Sequence, residues 1–228
     1  MISDLWVGAV SILCLACIGC HDSPAREVSR PEQIMEFAVL YKQNCAGCHG
    51  ENGRNGVAIP LANPVYLAVA GEATVRKVTA NGVAGTLMPA FAKSAGGTLT
   101  DQQIDTLVTG LLKTWSRPDA IAASNVPSYS AGLKGDPKQG QKIFGERCSK
   151  CHGPDGKGAN GQTPDAVPGS IVDPAYLALV SDQSLRSTII AGRPDQGMPD
   201  WRSGSRAMTD QDVTDITAWL ASQRLTDP

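Results

Sequence analysis

The 228-residue sequence is poor in aromatic side chains, with four Trp, four Tyr and three Phe, and only 18% of it is charged. Twenty Lys and Arg against 22 Asp and Glu leave a formal net charge of −2, which argues against a nucleic-acid partner and against an acidic disordered tail. The apolar and small-residue run from Leu5 to Gly19 has signal-peptide length and falls short of the ~20 residues that cross a bilayer comfortably. No strand-like alternation of apolar and polar residues occurs, so the chain reads as all-α. Its length suits one large domain or two small ones. With 24 Gly and 15 Pro beside so few aromatics, each core must be small or filled by something other than side chains. A cofactor inside each domain would meet that need.

Histidine is scarcer still. His21, His49 and His152 each follow a cysteine that lies three residues after another cysteine. The three stretches are Cys17-Ile18-Gly19-Cys20-His21, Cys45-Ala46-Gly47-Cys48-His49 and Cys148-Ser149-Lys150-Cys151-His152. C-x-x-C-H is the attachment pattern of c-type haem. It absorbs every histidine and all cysteines except Cys14.

Setting separates the three matches. The first ends the apolar run, and Ile18-Gly19-Cys20 resembles a bacterial lipobox, in which a cysteine after a small residue is lipidated on cleavage. Met1 to Asp4 lacks Lys and Arg, and Cys17 stands where that motif usually has Leu, with Cys17 itself a poorer lipidation candidate. A third haem at Cys17, Cys20 and His21 would have only the short polar stretch Asp22 to Arg30 from which to build a pocket. The expectation is a leader or anchor over residues 1–20, lipidated at Cys20 and holding the protein on the outer face of a membrane.

An internal repeat organises the remainder. Asn63-Pro64-Val65-Tyr66-Leu67-Ala68 returns as Asp173-Pro174-Ala175-Tyr176-Leu177-Ala178, and at the same spacing Arg76 matches Arg186, Gly82 matches Gly192, and Met88-Pro89 matches Met198-Pro199. The second copy carries extra residues after its C-x-x-C-H, around Ala159 to Ser170. Ile34, Phe37, Ala38 and Tyr41 lie on one helix face within Pro31 to Asn44, before the first motif. Asp136 and Pro137 open the matching helix of the second copy. Thr100 and Gln103 form a capping box ahead of Ile104, Leu107, Val108, Leu111 and Trp115, and Thr209 caps a helix bearing Val213, Ile216, Trp219 and Leu220. Short helices are expected near Val65 to Ala70 and Thr74 to Ala80 and at their counterparts. The domains are therefore drawn as 31–115 and 136–226, joined by a linker over 116–135 without sustained periodicity.

Both halves resemble class I cytochrome c domains, and the whole resembles the tandem dihaem cytochromes c of bacterial respiratory chains. The likeness covers about Phe37 to Trp115 and Asp136 to Ser222, and implies two small helical domains, each around a covalently bound haem c. It also implies that the terminal helices of each domain cross, bringing Phe37 and Tyr41 to Leu111 and Trp115, and Ile143 and Phe144 to Trp219 and Leu220. Two thiols three residues apart can reach the two vinyl groups of one porphyrin, so Cys45 with Cys48, and Cys148 with Cys151, are the attachment candidates. His49 and His152 follow as proximal iron ligands. A disulfide or a zinc knuckle at each C-x-x-C is the alternative, and each repeat offers three ligands where zinc usually takes four.

Met1 is the start, Met35 lies on the first helix and Met208 adjoins a helix cap, which leaves Met88 and Met198 as distal ligands. Each precedes proline, which holds the methionine in extended geometry. His/Met ligation raises the reduction potential relative to bis-histidine ligation. An iron with both axial positions filled has no open site for substrate, so the resemblance implies electron relay at the periplasmic side of a bacterial membrane and no catalytic residue. The redox partners would be a quinol-oxidising complex, a terminal oxidase such as the cbb3 type, a dehydrogenase or another cytochrome c. A peroxidase-like haem enzyme and a gas sensor with a five-coordinate haem are the rival classes. Arg76 and Arg186 are read either as partners of haem propionates or as solvated charges. Tyr66 and Tyr176 are expected on a haem wall, Gly82 and Gly192 at close backbone approaches, and Phe91 and Trp201 in the core or at a haem edge.

Overall fold

A computed structural model describes residues 30–121, 125–158 and 169–224. The leader-like segment with Cys17, Cys20 and His21, and with it the lipidation expected at Cys20, lies outside the described residues. The first half contains α1 (Phe37–Asn44), α2 (Ala46–His49), α3 (Pro64–Asn81) and α4 (Asp101–Trp115). The second contains α5 (Pro137–Arg147), α6 (Ser149–His152), α7 (Pro174–Leu179), α8 (Asp182–Ala191) and α9 (Asp210–Ala221). Among the described residues the only extended pairings are two isolated bridges, Ala92 with Leu99 and Arg193 with Met198. The fold is all-α.

The repeat is visible element by element. Gly71 breaks α3 with φ 73° and ψ 160°, and at the matching place Ser181 separates α7 from α8 by accepting the Ser184 N–H at 3.1 Å. Asn63 and Asp173 cap α3 and α7 through the same two backbone N–H groups of the first turn. The expected boxes at Thr100/Gln103 and Thr209 are present, the latter closed by Asp212.

The helix before the first motif is shorter than its periodicity suggests. It starts at Phe37, because the Gln103 side chain donates to Pro31 O at 2.8 Å and Ile34 O at 3.1 Å and holds that segment outside a helix. Ala38 is exposed, while Leu40 and Tyr41 are buried. The expected helix crossings are both formed. Trp115 meets Phe37 and Tyr41 at ring-centroid distances of 5.9 and 5.1 Å, and Phe144 meets Trp219 at 4.3 Å.

The connecting segment is anchored rather than free. Arg186 is 1% exposed, donates to Ser128 O and Tyr129 O at 2.9 to 3.2 Å and to Thr214 Oγ1 at 2.9 Å, and pairs with Asp210. Gln183 also donates to Tyr129 O at 2.8 Å, and the Ser128 N–H donates to Asp210 at 2.9 Å. An unperiodic stretch can be fixed in this way because its carbonyls satisfy a buried guanidinium. Neither role expected for Arg186 holds: its donors serve the connector and α9. The matching Arg76 remains half-exposed and pairs with Asp105 on α4.

Candidate cofactor sites

Each C-x-x-C-H motif occupies a corner between two helices. Cys45 and Cys148 end α1 and α5, while Cys48/His49 and Cys151/His152 sit on α2 and α6. All four cysteines are free thiols. Burial pushes the Cys45 thiol up to about 12 and Cys148 to about 11, so both are neutral thiols in the metal-free protein. No group of three or more His, Cys, Asp or Glu gathers as a metal site among the described residues.

His49 is buried, and its Nδ1 lies 2.7 Å from Ile59 O. A carbonyl only accepts, so Nδ1 carries the proton and Nε2 keeps a lone pair for a metal. Burial lowers the His49 pKa, the bond to Ile59 opposes that lowering, and the positive charge of Arg193 adds to it. The neutral imidazole that metal ligation needs is therefore favoured. Burial also lowers the His152 pKa. His152 Nδ1 is buried with no hydrogen-bond partner among the described residues, and its ring lies 6.4 Å from that of Phe144.

The two methionines are held by one repeated loop. Gly82 and Gly192 end α3 and α8 at φ +69° and +66°, and a Cβ on either would lie 2.6 to 2.7 Å from backbone atoms of the following Met-Pro segment. Across the loop the Val83 N–H donates to Met88 O at 3.0 Å, and the Arg193 N–H donates to Met198 O at 2.9 Å. The expected close approach at both glycines is thus the approach of the methionine loop itself. Met198 also lines a cavity of about 630 Å³ between the halves, with Asn63, Val65, Ala191 and Asp195 among the other walls.

Of the remaining expected positions, Trp201 is wholly buried and its Nε1 has no partner among the described residues. Tyr66 is buried, whereas the matching Tyr176 is 38% exposed. A covalent haem fits this donor set. Each half offers two unpaired thiols one helical turn apart and a neutral imidazole. His152 Nδ1 and Trp201 Nε1 of the second half are buried polar atoms with no partner among the described residues.

Sequence reasoning passed over Arg193 and Asp195. Their side chains are 16% and 2% exposed, and they join the second half to the first: Arg193 donates to Gly56 O at 2.7 Å, and Asp195 accepts the Asn55 N–H at 2.9 Å. The available signal was divergence inside the repeat, since Val83 and Gly85 stand at the matching positions.

The fold and the family models together define the class: two cytochrome c domains in tandem, the kind of domain that carries covalently bound haem c. The family described as cytochrome c matches residues 137–224, and that described as cytochrome C oxidase, cbb3-type, subunit III matches residues 32–109. The relatives are more particular. The cbb3-type cytochrome c oxidase subunit CcoP of Azospirillum sp. (strain B510) is 26% identical over 211 residues, covering 85% of this chain and 65% of that protein. The cbb3-type subunit FixP of Sinorhizobium medicae (strain WSM419) is 28% identical over 151 residues, covering 58% of this chain and 45% of that protein. The chain therefore spans less than two thirds of the length of these curated relatives. Among solved structures, a chain of the Kuenenia stuttgartiensis reducing HAO-like protein complex aligns at 21% identity over 87% of this chain and 100% of that one, with a TM-score of 0.48.

Proposed function

We propose that this chain is a dihaem electron relay that serves as a subunit of a cbb3-type terminal oxidase. Cys45 and Cys48 would hold one haem through thioethers, with His49 and Met88 as its iron ligands, and Cys148, Cys151, His152 and Met198 would hold the other. The domains run over 31–115 and 136–226, with 116–135 between them. The observation that carries this reading is the doubled arrangement of two free thiols and an imidazole at a helix corner, with a loop running from a glycine to Met-Pro gripped by the same backbone bond in each half.

A haem in each half supplies a one-electron iron couple. His49 Nδ1 gives its proton to Ile59 O and so fixes the ring with Nε2 directed away from that bond. The bonds from Val83 and Arg193 to the methionine carbonyls close each loop, and Pro89 and Pro199 disfavour helical geometry at the methionines before them. Iron held by His49 with Met88, or by His152 with Met198, would supply one-electron exchange rather than a place to bind peroxide, oxygen or nitrite, which favours relay over substrate turnover.

The cbb3-type relatives support the oxidase as partner. No helix among the described residues is long and apolar enough to cross a membrane. Attachment on the periplasmic side is accordingly assigned to residues 1–20, with lipidation at Cys20.

The test is peptide mapping and intact mass of the protein from native membranes, with optical spectra of Met88→Ala and Met198→Ala. Two haems, on the Cys45/Cys48 and Cys148/Cys151 peptides, and acyl chains on Cys20 are expected. Each methionine variant should lose the far-red sulfur-to-ferric-iron band of one haem. Full retention of that band in both variants overturns the ligand assignment. A third haem on Cys17 and Cys20 overturns the anchor.

A further inference from the structure

Arg193 occupies a place that neither the repeat nor the ligand set explains. Its backbone grips the second methionine loop from both directions, since its N–H donates to Met198 O at 2.9 Å and its carbonyl accepts the Met198 N–H at 3.0 Å. Its side chain leaves the second half and donates to Gly56 O at 2.7 Å. Gly56 belongs to the loop that returns under the first motif: the Ala58 N–H donates to Cys48 O at 3.0 Å, and Ile59 O receives His49 Nδ1. One residue therefore touches the loop that fixes the first histidine and the loop that holds the second methionine.

The guanidinium is mostly buried, and its charge is felt at His49, where it opposes protonation. Asp195 faces it at 3.3 Å, itself 2% exposed, and has one oxygen without a partner among the described residues, as has Arg193 Nε. Asn63 adds a neutral tie beside them, donating to Ala191 O at 2.9 Å. The first copy has Val83 and Gly85 in place of this pair, so the charges belong to the second copy and are directed at the first.

We propose that Arg193 and Asp195 are redox-positioning residues that set the reduction potential of the first haem from the second domain. This rests on the dihaem reading above. Reduction adds one electron and turns ferric into ferrous iron, lowering the charge at the metal by one. A fixed, poorly solvated cation near the first site therefore favours the ferrous form, and a carboxylate favours the ferric form. The pair acts in opposition, and Arg193 Nη2, committed to Gly56 O beside the His49 loop, delivers the positive end closest to that site.

The experiment is a spectroelectrochemical titration of the full-length holoprotein and of Arg193→Gln, Arg193→Lys and Asp195→Asn, with haem content measured for each. Met88→His identifies the wave of the first haem. Arg193→Gln should lower the first potential by about tenfold in the ferric-to-ferrous ratio, which is about 59 mV for one electron. Arg193→Lys should retain most of the wild-type value, and Asp195→Asn should move it upward. Shifts of opposite sign at Arg193 and Asp195 are the signature of charge, because a loosened domain contact would move both variants the same way. Unchanged potentials, or shifts of one sign, in variants that hold two haems overturn the proposal. A wild-type protein without two haems overturns the dihaem reading on which it stands.

Discussion

Gly82 and Gly192 illustrate how little freedom the methionine loops have. Both sit at positive φ, and the atoms a Cβ would meet are backbone atoms of Met88, Pro89 and Ala90 in one half and of Met198 and Pro199 in the other. Backbone cannot swing aside as a side chain can, so Gly82→Ala and Gly192→Ala should each cost about 1–3 kcal/mol in thermal or urea unfolding. Each should also weaken the methionine-to-iron band of its own haem; a band of full strength in both would separate these glycines from ligation. Asp212 makes a prediction about pH. Its bond to Arg206 and those from Thr209 hold its pKa below the usual carboxylate range, against the opposing effect of burial. A depressed folded pKa gives a stabilisation that is complete above the unfolded value near ~3.9 and is lost as pH falls through the folded one. The melting-temperature gap between wild type and Asp212→Asn should thus be open at pH near 6 and close on acidification. A gap independent of pH would mean that the charge contributes nothing.

At the scale of elements, the crossing of α5 and α9 carries the second domain. Gly140 lies so close to α9 that a Cβ would come 2.0 Å from Asp215 O, and the Phe144 and Trp219 rings meet across the same crossing at a tilt of 40°. Trp219→Ala should cost about 3–5 kcal/mol by denaturant unfolding, the range for a large buried aromatic. A loss well under that range would place the domain's stability elsewhere. The caps of α4, α5 and α9 were legible in sequence because Thr100, Asp136 and Thr209 act on N–H groups within three residues. The true start of α1 was not, because it depends on Gln103, some seventy positions away. The cysteines, histidines and methionines were legible for a third reason: their spacing repeats, and repetition is visible without a fold. Ile59 was invisible as a partner of His49 because it contributes only a carbonyl, which every residue has.

Across the whole molecule the copies have diverged where they meet. Asn63 and Asp173 cap matching helices, but only the amide has donors to spare, and it spends them on Ala191 O and Gly192 O of the other half. Arg76 pairs at the surface with Asp105, while its counterpart Arg186 has sunk into the core and taken hold of the connector. Removing one partner of a buried ion pair is costly, so Arg186→Met should destabilise by about 3 kcal/mol and expose residues 126–134 to limited proteolysis. Resistance equal to wild type would show that Val126 and Tyr129 hold the connector by packing alone. Arg193 and Asp195 are the same kind of change, charges present in one copy and absent from the other. The clamp on Ser128 and Tyr129 also bears on how such a chain can be taken apart. The severable boundary lies upstream of Val126, not at the helix that opens the second repeat. A graft or fusion that began the second unit at Asp136 would strand a buried guanidinium, whereas one that carried the connector along would keep that guanidinium paired.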